Sequence, residues 1–227
     1  MCFYLAVSAD AKTLENRCNA EFPEGDLFIP REEFNAFEHP LLPAVTQDEP
    51  RKILLLRWGM VPSWVNDVDL AKKIRRSTLN ARSETADEKP SFRNSLRFRR
   101  CLIPVTAFYE WQHIRSGTRI RDKIKHKITT GKEIFCLAGI WDQWEHPLTR
   151  EKWEGFSILT TAANPLMEIV HNSKKRMPVI LPQHQENEWL DPARKTGPEL
   201  KPFLTAIDEK YMHAEQIPGR SVRSPRR

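Results

Sequence analysis

Arg119-Ile120-Arg121-Asp122-Lys123-Ile124-Lys125-His126-Lys127-Ile128 alternates cationic and apolar side chains over most of its length. In an extended strand, successive side chains point to opposite faces. Arg119, Arg121, Lys123, Lys125 and Lys127 would then share one face, and Ile120, Ile124 and Ile128 the other. A face of cations either blunts an exposed sheet edge or takes an anion. Outward from this stretch, period-two and short apolar runs recur at Ile53–Trp58, Arg100–Ala107, Lys123–Thr129, Ile134–Trp141, Phe156–Thr161 and Met177–Leu181, and each reads as a strand. Helical patterns are fewer: Ser91–Phe98, Pro165–Val170 and Gln183–Leu190, with a short turn over Pro198–Ala206. Pro23–Pro50, rich in proline and acid and poor in periodicity, reads as a long surface loop. Strands and helices mix without a βαβ rhythm. The expected class is therefore α+β, with a mainly antiparallel, barrel-like sheet and a few flanking helices.

Hydrophobic residues at 40% and charged residues at 29% are the proportions of a globular chain, not a disordered one. At 227 residues, with no internal linker, one domain over 1–218 is expected, followed by a basic, disordered tail over 219–227. No apolar run reaches the roughly eighteen residues of a membrane span, and the start lacks a secretory leader. Cys2, Cys18, Cys101 and Cys136 stand far apart, as reduced thiols of a cytosolic protein would. Histidines are scattered and glycines are scarce, so neither a metal site nor a nucleotide-cradling loop is expected, and no cofactor. The formal charge of +6 suits a polyanionic partner.

Several polar residues carry possible chemistry. Cys2 follows Met1 directly; trimming of Met1 would leave an α-amine and a β-thiol on one residue. An aldehyde can be closed by that pair, the amine condensing to an imine and the thiol adding to give a five-membered thiazolidine. Asn80-Ala81-Arg82-Ser83-Glu84 sets an amide, a guanidinium and a carboxylate together, either as a site or as a capped turn. Glu110 sits between Tyr109 and Trp111, where desolvation would raise its pKa, unless it points to solvent while its neighbours point inward. His171 closes a helix and is followed by Lys174, Lys175 and Arg176; it is either a proton shuttle or a structural cap. Trp58-Gly59-Met60-Val61-Pro62-Ser63-Trp64 offers rings for an unpaired base, or core.

In order along the chain, Met1-Cys2, Trp58-Gly59 with Pro62 and Trp64, Asn80-Ala81-Arg82 with Glu84-Thr85, Arg100-Cys101-Leu102-Ile103-Pro104, Phe108-Tyr109-Glu110-Trp111, Thr160-Thr161-Ala162-Ala163-Asn164, and His171 with Arg176-Met177-Pro178 resemble the SOS response-associated peptidase (SRAP) family. The resemblance covers Cys2 to about Leu190. It implies the SRAP fold and a sensor that traps abasic sites in single-stranded DNA through an N-terminal Cys thiazolidine. It further implies Cys2 as nucleophile, Asn80 positioning the terminus, Glu110 as general acid/base and His171 assisting sugar-ring opening. Arg82, Trp58, Trp64, Lys125, Lys127 and Arg176 are the expected DNA contacts. The expected partner is single-stranded DNA containing abasic sites, met by a cytoplasmic, nucleoid-associated monomer with no membrane attachment. Removal of Met1, autocatalytic or assisted, fits the peptidase label. Cys2-Phe3-Tyr4-Leu5 departs from the family's frequent Cys-Gly-Arg-Phe and so lacks a phosphate-binding arginine. Two other readings stay open: a thiol peptidase with an N-terminal nucleophile, and a non-catalytic binder of single-stranded nucleic acid.

Overall fold

A computed structural model describes residues 2–194 and 197–218; the expected tail lies outside the described residues. In chain order the elements are β1 (Tyr4–Val7), α1 (Ala11–Cys18), β2 (Arg31–Asn35), β3 (Leu41–Thr46), β4 (Ile53–Trp58), α2 (Val68–Ser77), β5 (Asn80–Arg82), α3 (Arg93–Phe98), β6 (Arg100–Val105) and β7 (Ala107–Ser116). Then follow β8 (Arg119–Thr130), β9 (Phe135–Glu145), β10 (Lys152–Ala162), α4 (Pro165–Val170), β11 (Arg176–Pro178), β12 (Ile180–Leu181), α5 (Glu186–Trp189), α6 (Gly197–Leu200) and β13 (Met212–Gln216). The class is α+β and mainly antiparallel, as the sequence implies.

Strands β4, β3, β6, β9 and β10 each pair with the next, and β10 pairs back with β4, closing a small barrel. Its seam, β4 with β10, is parallel, as is the pairing of β5 with β10; the rest of the ring is antiparallel. Closure removes the edges that an open sheet would expose. β6 is buried along its whole length, which explains why Arg100-Cys101-Leu102-Ile103-Pro104-Val105 shows no polar alternation. A second sheet runs in the order β13, β8, β7, β1, β2.

Pro23–Pro50 is not a loop throughout, since it contributes β2 and β3. β2 buries only Phe34, and its Arg31, Glu32 and Glu33 are exposed, so no period-two signal exists to read. β3 carries Pro43, which ordinarily argues against a central strand. Pro43 pairs with Leu55 of β4 but precedes the Val45–Thr46 stretch that β6 pairs, so its missing N–H is tolerated there.

Trp58 is not a DNA-stacking residue. Its side chain is fully buried, its ring stacks on Phe156 at 6.1 Å, and its indole N–H donates to the Leu79 carbonyl at 2.8 Å. Trp58→Ala is expected to cost about 3–5 kcal/mol, the range for removing a large buried ring. The check is a lower urea midpoint with unchanged m.

Candidate active site

β1 lies between β2 and β7, which fixes the chain just after Cys2. The Ala36 N–H donates to the Phe3 carbonyl at 2.9 Å. Asn80 heads β5, whose pairing with Ile158 of β10 sets its position. Its Nδ2 donates to the Cys2 carbonyl at 2.8 Å, while its buried Oδ1 has no hydrogen-bond partner among the described residues. Cys2 is fully buried and its thiol lies 3.7 Å from the Tyr4 carbonyl. Burial, reinforced by the negative charge of Glu110, pushes the Cys2 thiol well above its ordinary range. The thiol is therefore protonated at neutral pH, and its attack on a carbon centre requires a nearby base.

Glu110 can be that base. In β7 its neighbours Tyr109 and Trp111 take the other face, where Tyr109 packs with Ala6 and Ala107. Glu110 points inward and is 5% exposed, the opposite of a carboxylate directed to solvent. Burial raises it to about 7, with the amino-terminal charge acting against the rise. His171 caps α4, and its Nδ1 lies 2.7 Å from the Arg176 carbonyl. A carbonyl only accepts, so Nδ1 carries the hydrogen and the neutral ring presents a lone pair at Nε2. Nε2 stands 3.7 Å from Glu110 Oε2. That spacing would suit an ion pair, but burial holds His171 down at about 4. At neutral pH the pair is thus a neutral imidazole facing a half-protonated carboxyl. His171 does not offer the cationic proton that ring-oxygen protonation would use; it can instead orient and accept the proton of Glu110.

Glu110 and His171 line an open pocket of 390 Å³ with Phe3, Trp111, His113 and Lys174. The charge of Glu110 acts on Cys2, and Asn80 holds the Cys2 carbonyl, so the structure brings together the four residues expected to be catalytic. The expected DNA contacts fare unevenly. Arg82 is exposed two residues beyond Asn80, and Trp64 is half exposed on the loop after β4. Arg176 is buried, and its guanidinium is taken up by both oxygens of the Glu84 carboxylate and by the Thr160 carbonyl. Lys125 pairs with Glu33 and lies 4.4 Å from the Tyr109 ring centroid, while Lys127 pairs with Glu32 at 2.9 Å. Arg176, Lys125 and Lys127 therefore answer carboxylates of their own chain and are not open phosphate contacts. β13 covers β8 from His126 to Thr130, so this end of the cationic strand is no free edge either. Among the described residues no His, Cys, Asp and Glu side chains converge as metal ligands. Trp111 and Lys174 lay within motifs visible in the sequence, whereas His113 and Phe3 reach the pocket only through the pairing of β7 and β1.

The sequence profile described as SOS response associated peptidase (SRAP) matches residues 1–224. The chain belongs to the SRAP family. This SRAP chain is 35% identical over 206 residues to abasic site processing protein YoqW of Bacillus subtilis (strain 168), covering 88% of this chain and 87% of that protein. It is 34% identical over 208 residues to abasic site processing protein YoaM of the same organism, covering 88% and 86%. A crystal structure of a Bacteroides thetaiotaomicron protein superimposes on it with a TM-score of 0.89 at 35% identity, covering 96% of this chain and 92% of that one. Among the described residues, no helix of this SRAP protein is long and apolar enough to cross a membrane.

Proposed function

We propose that this SRAP protein processes abasic sites in DNA, and that it does so by covalent capture of the lesion in single-stranded DNA through Cys2. The observation that carries the reading is the Asn80 grip on the Cys2 carbonyl beside a Glu110 raised to about 7 at the wall of an open pocket. The names of its SRAP relatives point to the substrate. A half-protonated carboxyl both donates and accepts near neutral pH, and aldehyde capture needs both.

Removal of Met1 frees the Cys2 amine. Its nitrogen adds to C1′ of the ring-opened sugar and passes one proton to the C1′ oxygen. Glu110 protonates the resulting hydroxyl, which leaves as water, and takes back the second nitrogen proton, giving an imine. The thiol then adds to C1′ while Glu110 relays its proton to the imine nitrogen, closing a thiazolidine. The net change is one aldehyde plus one aminothiol giving one ring and one water. Asn80 holds the Cys2 carbonyl and so limits where amine and thiol can swing. The neutral Nε2 of His171 orients the Glu110 proton. Arg82 and Trp64, both exposed, would contact the strand outside the pocket.

The test is intact mass after incubation with an abasic oligonucleotide. The expected product is heat-stable and weighs the sum of mature protein and strand less one water; a wild-type protein that gives none overturns the reading.

A further inference from the structure

Arg57 of β4 and Arg75 of α2 both lie against Trp153, with guanidinium carbons 5.0 and 4.8 Å from its ring centroid. His39 meets the same ring edge-on at 5.9 Å. The charges of Arg76 and Arg57 act on Arg75, and those of Arg75, Arg76 and Arg57 act on His39. Like charges held together at a cost in repulsion call for a counter-ion. Arg75 Nε is moreover a buried donor that no atom among the described residues accepts.

The cluster is built into the fold. Trp153 is fixed by its indole N–H, which donates to the Gly59 carbonyl at 2.9 Å. His39 Nδ1 donates to the Trp58 carbonyl at 2.7 Å. Gly59 has φ +118, and a Cβ there would lie 2.7 Å from His39 Nδ1 and 2.8 Å from the Arg75 carbonyl oxygen. Only glycine lets the end of α2 and the turn before β3 close on one point. A cavity of 290 Å³ opens beside Arg75 and Trp153, lined also by Lys72, Lys152, His146 and the carboxylate of Glu151.

This cluster adjoins the capture pocket through one short turn. Phe3, on the pocket wall, meets Phe37 at a tilt with ring centroids 4.9 Å apart, and Phe37 is 57% exposed. His39 follows two residues later, at most about 7 Å along the chain. The exposed Phe37, set against half-buried Phe3, thus links the pocket wall to the turn that carries His39.

We propose that Arg57, Arg75 and Arg76 form an anion site for the phosphodiester backbone of the single strand where it leaves the capture pocket past Phe37. The guanidinium fork fits phosphate oxygens and supplies the acceptor that Arg75 Nε lacks. The inference rests on the proposed capture of single-stranded DNA, and it assigns to this chain a phosphate grip in place of the arginine missing after Cys2.

The experiment measures affinity for an unmodified single strand of about fifteen nucleotides against salt. Arg57→Gln, Arg75→Gln and Arg76→Gln should each weaken binding and lower the slope of log K against log salt by about 0.7 for every phosphate no longer neutralised. Arg75→Lys should retain more of the slope than Arg75→Gln, and a trinucleotide too short to reach should bind all of them alike. Adduct yield at saturating abasic strand should be unchanged. Arg76 is exposed, so Arg76→Gln keeps the test alive if Arg75→Gln does not fold. Unchanged slopes, or an acidic peptide that binds the cluster more tightly than the strand does, would overturn the site. A wild type that binds with the expected slopes yet forms no adduct sinks the capture reading and leaves the phosphate site standing.

Discussion

Cys2→Ala should leave no heat-stable adduct with an abasic strand, while affinity for an intact strand stays at the wild-type level. The amine of the variant can still condense to an imine, but an imine is reversible in water and alanine has no thiol to close the ring. Borohydride should therefore trap the variant on the strand, although heat alone releases it. Cys2→Ser separates the same steps more gently, because the hydroxyl is far less acidic and less nucleophilic than a thiol. A protein that keeps Met1 has the thiol but no amine on Cys2, and it should also give no adduct. Equal yield from Cys2→Ala and wild type would refute the mechanism outright.

Glu110→Gln should slow adduct formation by about 10²–10⁴-fold, the usual worth of a positioned acid/base. The wild-type rate should bend near pH 7, because water loss from C1′ needs the protonated carboxyl and thiol addition needs the carboxylate. Glutamine does neither, so the inflection should vanish as well as the rate. Stability supplies an independent readout. The folded pKa of Glu110 lies above its ordinary 4.5, so its contribution grows as pH falls from about 7 towards 4.5. That of His171 lies below its ordinary 6.5, so stability is lost as pH falls from 6.5 towards about 4. The two trends oppose each other over most of that window. Glu110→Gln should therefore be more stable than wild type at pH 8 and should lose stability below 6.5 where wild type holds level. Denaturation midpoints across pH would show it, and parallel curves for the two proteins would contradict the assignment.

Four of the five barrel strands were legible as apolar runs, whereas β3, interrupted by Pro43, was not. β4 runs over Ile53–Trp58 and α4 over Pro165–Val170, as their apolar patterns imply. Elements that bury little escaped. α1 buries only Leu14 and α2 only Ala71, although Asp10 and Asp67, whose side chains cap the N-termini at Thr13 and Leu70, were there to be read. The Cys2, Asn80, Glu110 and His171 set could be named from motif order, yet no local pattern shows which face Glu110 takes. That depends on β1 flanking β7 opposite β8, and β1 lies about a hundred positions earlier in the chain. Trp58 and Trp64 belong to one motif and look alike there, but one stacks on Phe156 within the core and the other is half exposed. Lys125 and Lys127 read as an open stripe only because Glu32 and Glu33, their partners, sit nearly a hundred positions earlier in the chain.

The position of β1 between β2 and β7 has a dynamic consequence. Chain ends ordinarily fray, and their amide hydrogens exchange within moments of meeting heavy water. Here Leu5 pairs with Phe34 of β2 and Phe108 of β7, and Ala6 pairs with Ala107 of β7, a few residues after Cys2. Their amides should exchange only when the sheet itself opens, as slowly as amides of the barrel. Residue 2 would then inherit the rigidity of the whole fold, which is what a reacting group needs if its two arms are to meet one carbon in turn.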